Sequence, residues 1–215
     1  MAYGYTYTLP TITGSHSDFP VKLSEDDFPS AAIDGTANAI DNGGGNMRAY
    51  TSSAKTTQLP IDIEEFVSGG TPSAEVYIKI PTAATSSTIF IEADAVETAQ
   101  PATTATYGRD AVWADYEVVA HLKESANNSA GGYINSAGNS DGTGTSMSLT
   151  NVAAKYGADT AAFDTDKINF PISPAATDDV FTAQAWGNMD DLSTDQRILS
   201  LANSAGNSES VAAVW

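Results

Sequence analysis

Short runs of alternating apolar and polar residues recur along the chain and are its main structural signal. Tyr3, Tyr5 and Tyr7 alternate with Gly4, Thr6 and Thr8 until Pro10 and Gly14, which predicts a first strand with an aromatic face. Phe19, Val21 and Leu23 share one side of a second strand over 18–23. Strands are also predicted over 47–50 and 59–66, with Pro60 marking the start of the latter or a sheet edge. The strongest period-two signal is 75–80, which turns Val76, Ile78 and Ile80 inward; a Pro/Ala/Ser turn then leads to a partner strand over 88–92. In mid-chain, Val118, Ala120 and Leu122 alternate with Glu117, Val119 and His121, which predicts a strand at the hinge between two β-domains. Met147 and Leu149 start a short strand, and others are predicted over 168–172, 180–186, 197–201 and 211–215.

Between these runs the turn chemistry is explicit. Ser24 followed by acidic residues predicts a capped helical turn within 24–34. Asp41-Asn42-Gly43-Gly44-Gly45-Asn46 predicts a tight loop. Residues 97–109 read as a linker or crossing loop, 126–145 as an exposed Ala/Asn/Gly/Ser loop, and 151–157 as a helical turn stopped by Gly157. Many short strands without a long 3.6-period segment predict an all-β fold of β-sandwich, jelly-roll-like modules. Residues 1–107 form the expected N-terminal β-sandwich and 108–215 the second.

Composition narrows the partners. The 215 residues include 9 Lys and Arg and carry a net charge of −18, so nucleic acid is excluded as a partner because its phosphates would be repelled. Such acidity favours solubility, cation binding or a high-salt setting. A hydrophobic content of 41% argues against general disorder. Without Cys there is no disulfide, thiolate metal site or thiol nucleophile. The N-terminus lacks the basic and apolar regions of a secretion signal, so the expectation is synthesis in the cytoplasm and release by lysis or a dedicated route. No apolar run approaches the roughly 18–20 residues that span a bilayer, so membrane insertion is not expected.

From the hinge onward, Val118-Val119-Ala120-His121-Leu122-Lys123-Glu124, Asn135-Ser136-Ala137-Gly138-Asn139 and Asp141-Gly142-Thr143 resemble the opening of laminin-G-like, concanavalin A-type lectin domains. Lys155-Tyr156-Gly157, Ala162-Phe163-Asp164, Phe181-Thr182-Ala183-Gln184-Ala185-Trp186 and Gln196-Arg197-Ile198-Leu199-Ser200 continue the pattern in that family's order. Upstream, Asp18-Phe19-Pro20-Val21, Gly45-Asn46-Met47-Arg48, Leu59-Pro60-Ile61 and Glu75-Val76-Tyr77-Ile78-Lys79-Ile80-Pro81 resemble a domain family of unknown function. That family often directly precedes a laminin-G-like domain in bacterial surface and phage virion proteins. The resemblance implies two β-sandwiches used in adhesion, glycan binding or virion assembly. A laminin-G-like jelly roll needs several more strands than residues 108–215 supply, so the second sandwich is expected to be incomplete. Three completions fit: a continuing chain, a neighbouring subunit that adds strands, or a reduced fold.

The candidate chemistry is sparse. Trp113, Tyr133 and Trp186 are the aromatics set against glycan or partner contact, with burial in a core as the competing role. Asp41, Asn139 and Asp141 offer loop oxygens suited to Ca2+, although neither loop has the EF-hand pattern and ordinary turn geometry explains both. His121 lacks identifiable carboxylate partners at metal-ligand spacing, so it reads as a structural strand histidine. The pairs Asp26/Asp27, Glu64/Glu65, Asp178/Asp179 and Asp190/Asp191 do not form a hydrolase dyad, because adjacent residues on a regular strand face opposite ways. No catalytic residues are expected.

The expectation is therefore a non-enzymatic virion structural protein: a phage capsid decoration, fibre or tail-adhesion component. Its partners would be other virion proteins or copies of itself, with a cell-surface glycan as a further ligand. The alternative is a carbohydrate-binding module of a bacterial cell-surface or secreted protein.

Overall fold

A computed structural model describes residues 3–125, 127–147, 152–153, 159–160, 167–172, 184–185, 201–202 and 208–209. The fold is all-β with antiparallel sheets. Seven strands come first: β1 (Gly4–Thr8), β2 (Ser15–Ser24), β3 (Met47–Tyr50), β4 (Gln58–Leu59), β5 (Ile61–Val67), β6 (Ser73–Ala84) and β7 (Thr88–Ala93). They form a four-stranded sheet, ordered β1-β7-β3-β4, and a three-stranded sheet, ordered β2-β6-β5.

The core lies between these sheets. Val76, Ile78 and Ile80 of β6, flanked by Leu23 of β2 and Ile61 of β5, meet Met47, Ala49, Ile89 and Ile91 of the other sheet in one buried cluster. Burying each such aliphatic side chain contributes about 1.5–3 kcal/mol, so the alternation in β6 and β7 is what closes the two layers. Between β2 and β3 lie a 3-10 turn at Glu25–Asp27 and the helix α1 (Ser30–Ile33), and Phe28 stacks edge-on with Tyr5 and Phe66 at centroid distances of 6.0 and 5.3 Å. As the sequence predicts, Ser24 is the N-cap residue of the turn, and its backbone N–H and hydroxyl both donate to Asp27 Oδ2, at 2.8 and 3.0 Å.

The three prolines in or next to the strands of this sheet obey the donor rule. Pro20 lies on edge strand β2, and Pro60 immediately precedes edge strand β5. Pro81 falls within central β6, but the ladder to β2 is interrupted there, where Asp18 adopts a φ of 49°.

Downstream come the short helix α2 (Arg109–Val112), then β8 (Thr143–Thr145), β9 (Val152–Ala153), β10 (Asp159–Thr160) and β11 (Lys167–Asn169). β8 pairs with β11, and β9 with β10. Met1–Ile172 forms one compact unit, so the boundary predicted between residues 107 and 108 falls inside it. Ser173–Trp215 is a second unit, in which β12 (Leu201–Ala202) pairs with β13 (Ser208–Glu209). Most residues of the strands predicted over 180–186, 197–201 and 211–215 lie outside those described. Among the described residues no helix is long and apolar enough to cross a membrane.

Three local expectations are corrected. Residues 118–122 form no strand: Leu122 has a φ of 56°, which breaks the alternation, and the Val119 N–H donates to the Asn135 side chain instead of to a ladder. Residues 126–145 are not a purely exposed loop, because Tyr133, Asn135 and Ser136 are buried within them. Within 151–157, the described residues Val152–Ala153 are a strand and not part of a helical turn.

Candidate functional site

The face of β6 that points away from the core carries Glu75, Tyr77 and Lys79. In a sandwich that face would normally meet water, but here a strap made of α2, Trp113 and residues 114–124 lies over it. The strap starts from a tightly built corner, where a Cβ on Gly108 would collide with the Ala102 and Thr103 carbonyls. The Asp110 N–H donates to Thr103 O, and the Ile61 N–H to Tyr107 O, which ties the corner to β5. Further along, Asn135 holds the strap in place. Its Oδ1 accepts from Val119 N–H at 3.0 Å, and its Nδ2 donates to Glu117 O at 3.0 Å.

Strand β5 supplies the acidic residues through an irregularity. The register places Asp62 opposite Tyr77 and Ile63 opposite Val76, then skips Glu64 and sets Glu65 opposite Glu75. This extra residue is a β-bulge, and it shifts the phase of the strand. Asp62, Glu64 and Glu65 therefore all leave the core side, while Ile61 and Phe66 stay buried within it. The sequence-based expectation that Glu64 and Glu65 face opposite ways is corrected by this bulge.

Two linked clusters result. In the first, Trp113 Nε1 donates to Asp62 Oδ2 at 2.7 Å, and His121 Nε2 lies 3.7 Å from that oxygen and 3.4 Å from Glu64 Oε1. The Tyr77 ring backs this cluster, 5.0 Å from Trp113 and 5.2 Å from His121 between centroids. In the second, Glu75 Oε1 accepts from Lys22 Nζ at 3.0 Å and from Tyr77 Oη at 2.7 Å, and Lys123 Nζ lies 2.8 Å from Glu75 Oε2. At the rim Lys79 Nζ donates to Asp115 Oδ2 at 2.6 Å.

The two carboxylates respond oppositely to burial. Desolvation raises the Glu64 carboxyl above its ordinary value, and the neighbouring His121 only partly offsets that. Burial pushes Glu75 the same way, but hydrogen bonds from Lys123, Tyr77 and Lys22 outweigh it and hold the group at about 2. Tyr77 is pushed up by burial and by its bond to the Glu75 carboxylate.

Asp62, Glu64 and His121 form a group of metal-ligand type: one ligand atom from each lies within 4.8 Å of the others. Beside them is a cavity of about 50 Å³ lined by Glu64, His121, Lys123 and Glu124, with Arg109 and Ile134. A second cavity of about 230 Å³ lies elsewhere, bounded by Thr51, Leu59, Ile80, Pro81 and Thr88, and it contains no ionisable side chain.

The residues singled out from sequence are dispersed. Trp113 is 6% exposed with its indole committed to Asp62, and Tyr133 is fully buried, its hydroxyl accepting from Asn127 N–H. Neither offers a free ring face for a sugar. Trp186 lies outside the described residues. Asp41 is exposed and accepts from Asn42 Nδ2 at 2.7 Å, in the turn between α1 and β3. Asn139 donates to Glu117 O, and Asp141 accepts from Asn135 N–H at 2.9 Å, so both help close the loop that grips the strap. The site centres instead on His121, with Asp62 and Glu64 as the partners that spacing alone did not reveal. Their i, i+2 separation on a predicted strand, which puts them on one face, was the available signal.

Comparison of the chain with protein-family models, with curated proteins and with solved structures finds no match in any of the three.

Proposed function

We propose that this chain is a non-enzymatic structural protein of a virion, a phage capsid decoration, fibre or tail-adhesion component that works through protein–protein contacts. One observation carries most of this reading. Edge strand β2 pairs only with β6 among the described strands, and its first half, Ser15–Phe19, is exposed, with Phe19 at 42%. An exposed edge carrying an aromatic residue is a template for a neighbouring chain, by strand addition or lattice packing. The acidic surface limits nonspecific association and leaves the edge as the specific contact. The ordered resemblance to modules found in phage virion proteins supports the same assignment. The alternative, a carbohydrate-binding module, loses two of its three stacking candidates because Trp113 and Tyr133 are buried.

Cryo-electron microscopy of particles from the native source is the test. Copies should appear in a symmetric array with β2 against a neighbour, and Phe19→Asp should reduce incorporation at least tenfold while leaving the fold intact. A protein that stays monomeric at millimolar concentration and is absent from particles would overturn the assignment.

A further inference from the structure

The Asp62–Glu64–His121 cluster has features that packing alone does not require. Glu64 is the extra residue of the β-bulge in β5 and lies on the same face as Asp62, toward His121. Leu122, the residue next to His121, takes a φ of 56°, a conformation that side-chain-bearing residues rarely adopt. His121 Nε2 is buried and makes no hydrogen bond to any described residue, although it points at two carboxylate oxygens 3.4 and 3.7 Å away. Those separations are close to the roughly 3.3 Å edge of a tetrahedron with metal–ligand bonds of about 2.0–2.1 Å. The orphaned nitrogen therefore sits where a shared cation would satisfy all three groups.

We propose that Asp62 Oδ2, Glu64 Oε1 and His121 Nε2 form a site for a divalent transition metal, with Zn2+ the best match. One imidazole and two carboxylates suit Zn2+ better than Ca2+, which prefers six to eight oxygens. Charge balances as well: a neutral His121 with two carboxylates matches a dication. The nearby cations are already engaged, Lys123 with Glu75 at 2.8 Å and Arg109 with Asp110 at 3.0 Å. Trp113 Nε1–H on Asp62 orients that ligand, the kind of outer support that metal sites usually carry. Water from the adjoining cavity takes the fourth position. The ion's role is structural, as a cross-link between strap residue 121 and edge strand β5. The site does not depend on the virion assignment.

The test uses the full chain, stripped with a chelator and titrated with ZnCl2, with CoCl2 as a spectroscopic probe and CaCl2 as the control. One Zn2+ per chain should bind, Co2+ should give the intense visible bands of four-coordination, and Zn2+ at a hundredfold excess over Kd should raise Tm by roughly 5–10 °C. Glu64→Gln and His121→Gln should each weaken Zn2+ binding at least tenfold, and His16→Gln should leave it unchanged. The wild-type titration decides the matter even if a variant folds poorly. No stoichiometric Zn2+ binding, a preference for Ca2+, or binding that survives both substitutions in folded protein would overturn the proposal.

Discussion

The two faces of β6 are both buried, yet they are held by different physics. On one side Val76 and Ile78 are fully buried in a dry aliphatic core, and on the other Glu75, 4% exposed, sits among lysines and a tyrosine. The inner face is stabilised by area and close packing, which act without direction and tolerate small shifts. The outer face depends on each polar group finding its partner, because an unpaired buried charge costs far more than a lost methyl contact. A polar position in an alternating strand is thus no guide to exposure. What decides is whether a later segment returns to cover it, as the strap from Arg109 to Glu124 does here.

The sharpest way to break the comparison is to damage the inner face. Ile78→Ala should cost about 3–4 kcal/mol, because Ile78 is fully enclosed by both sheets and the cavity cannot collapse. Chemical denaturation should show that loss with little dependence on pH. A loss that changed strongly between pH 3 and 7 would mean that the two faces are not energetically separate.

Next in size is the outer face, where pH is the discriminating variable. Glu75→Gln keeps the volume but removes the carboxylate charge that Lys22 and Lys123 face, and should cost on the order of 2 kcal/mol at pH 7 once the partial exposure of Lys22 is allowed for. The sign follows from the depressed value of about 2 against the ordinary 4.5. Stability from ionised Glu75 is complete above pH 4.5 and is lost as pH falls toward 2. Glu64 acts in the opposite sense: its carboxyl is raised, so its protonation on acidification relieves a cost. The stability difference between wild type and Glu75→Gln should therefore be flat above about pH 5 and shrink below it. A difference independent of pH from 2 to 7 would show that Glu75 acts by shape alone.

How much of this was legible in the sequence depends on the range of the interaction. The strands of the sandwich were readable because their signal is local: Val76, Ile78 and Ile80 repeat with the pleat, and Pro60 punctuates β5. The alternation at 118–122 misleads because it has the same look whether the backbone pairs with a ladder or with a side chain. Only the contact from Asn135, sixteen positions away, decides that Val119 N–H leaves the sheet pattern. The site was hidden for a related reason. Asp62 and Glu64 share a face by their i, i+2 spacing, but His121 meets them only through a fold that brings distant segments together, which no local propensity announces.

The smallest expected effect probes the rim, where the outer face meets water. Lys79 and Asp115 are 2.6 Å apart, but the Asp115 side chain is 65% exposed. Solvent screens such a pair, and fixing two flexible side chains offsets part of the attraction, so Asp115→Asn should cost no more than about 0.5 kcal/mol. Raising the salt concentration should erase even that difference. The same salt should leave most of the Glu75→Gln effect intact, since the Glu75 side chain is only 5% exposed and Lys123 of the strap lies 2.8 Å from it. If Asp115→Asn proved as damaging as Glu75→Gln, the strap would be held from its edge, and the buried carboxylate would be a passenger of the fold.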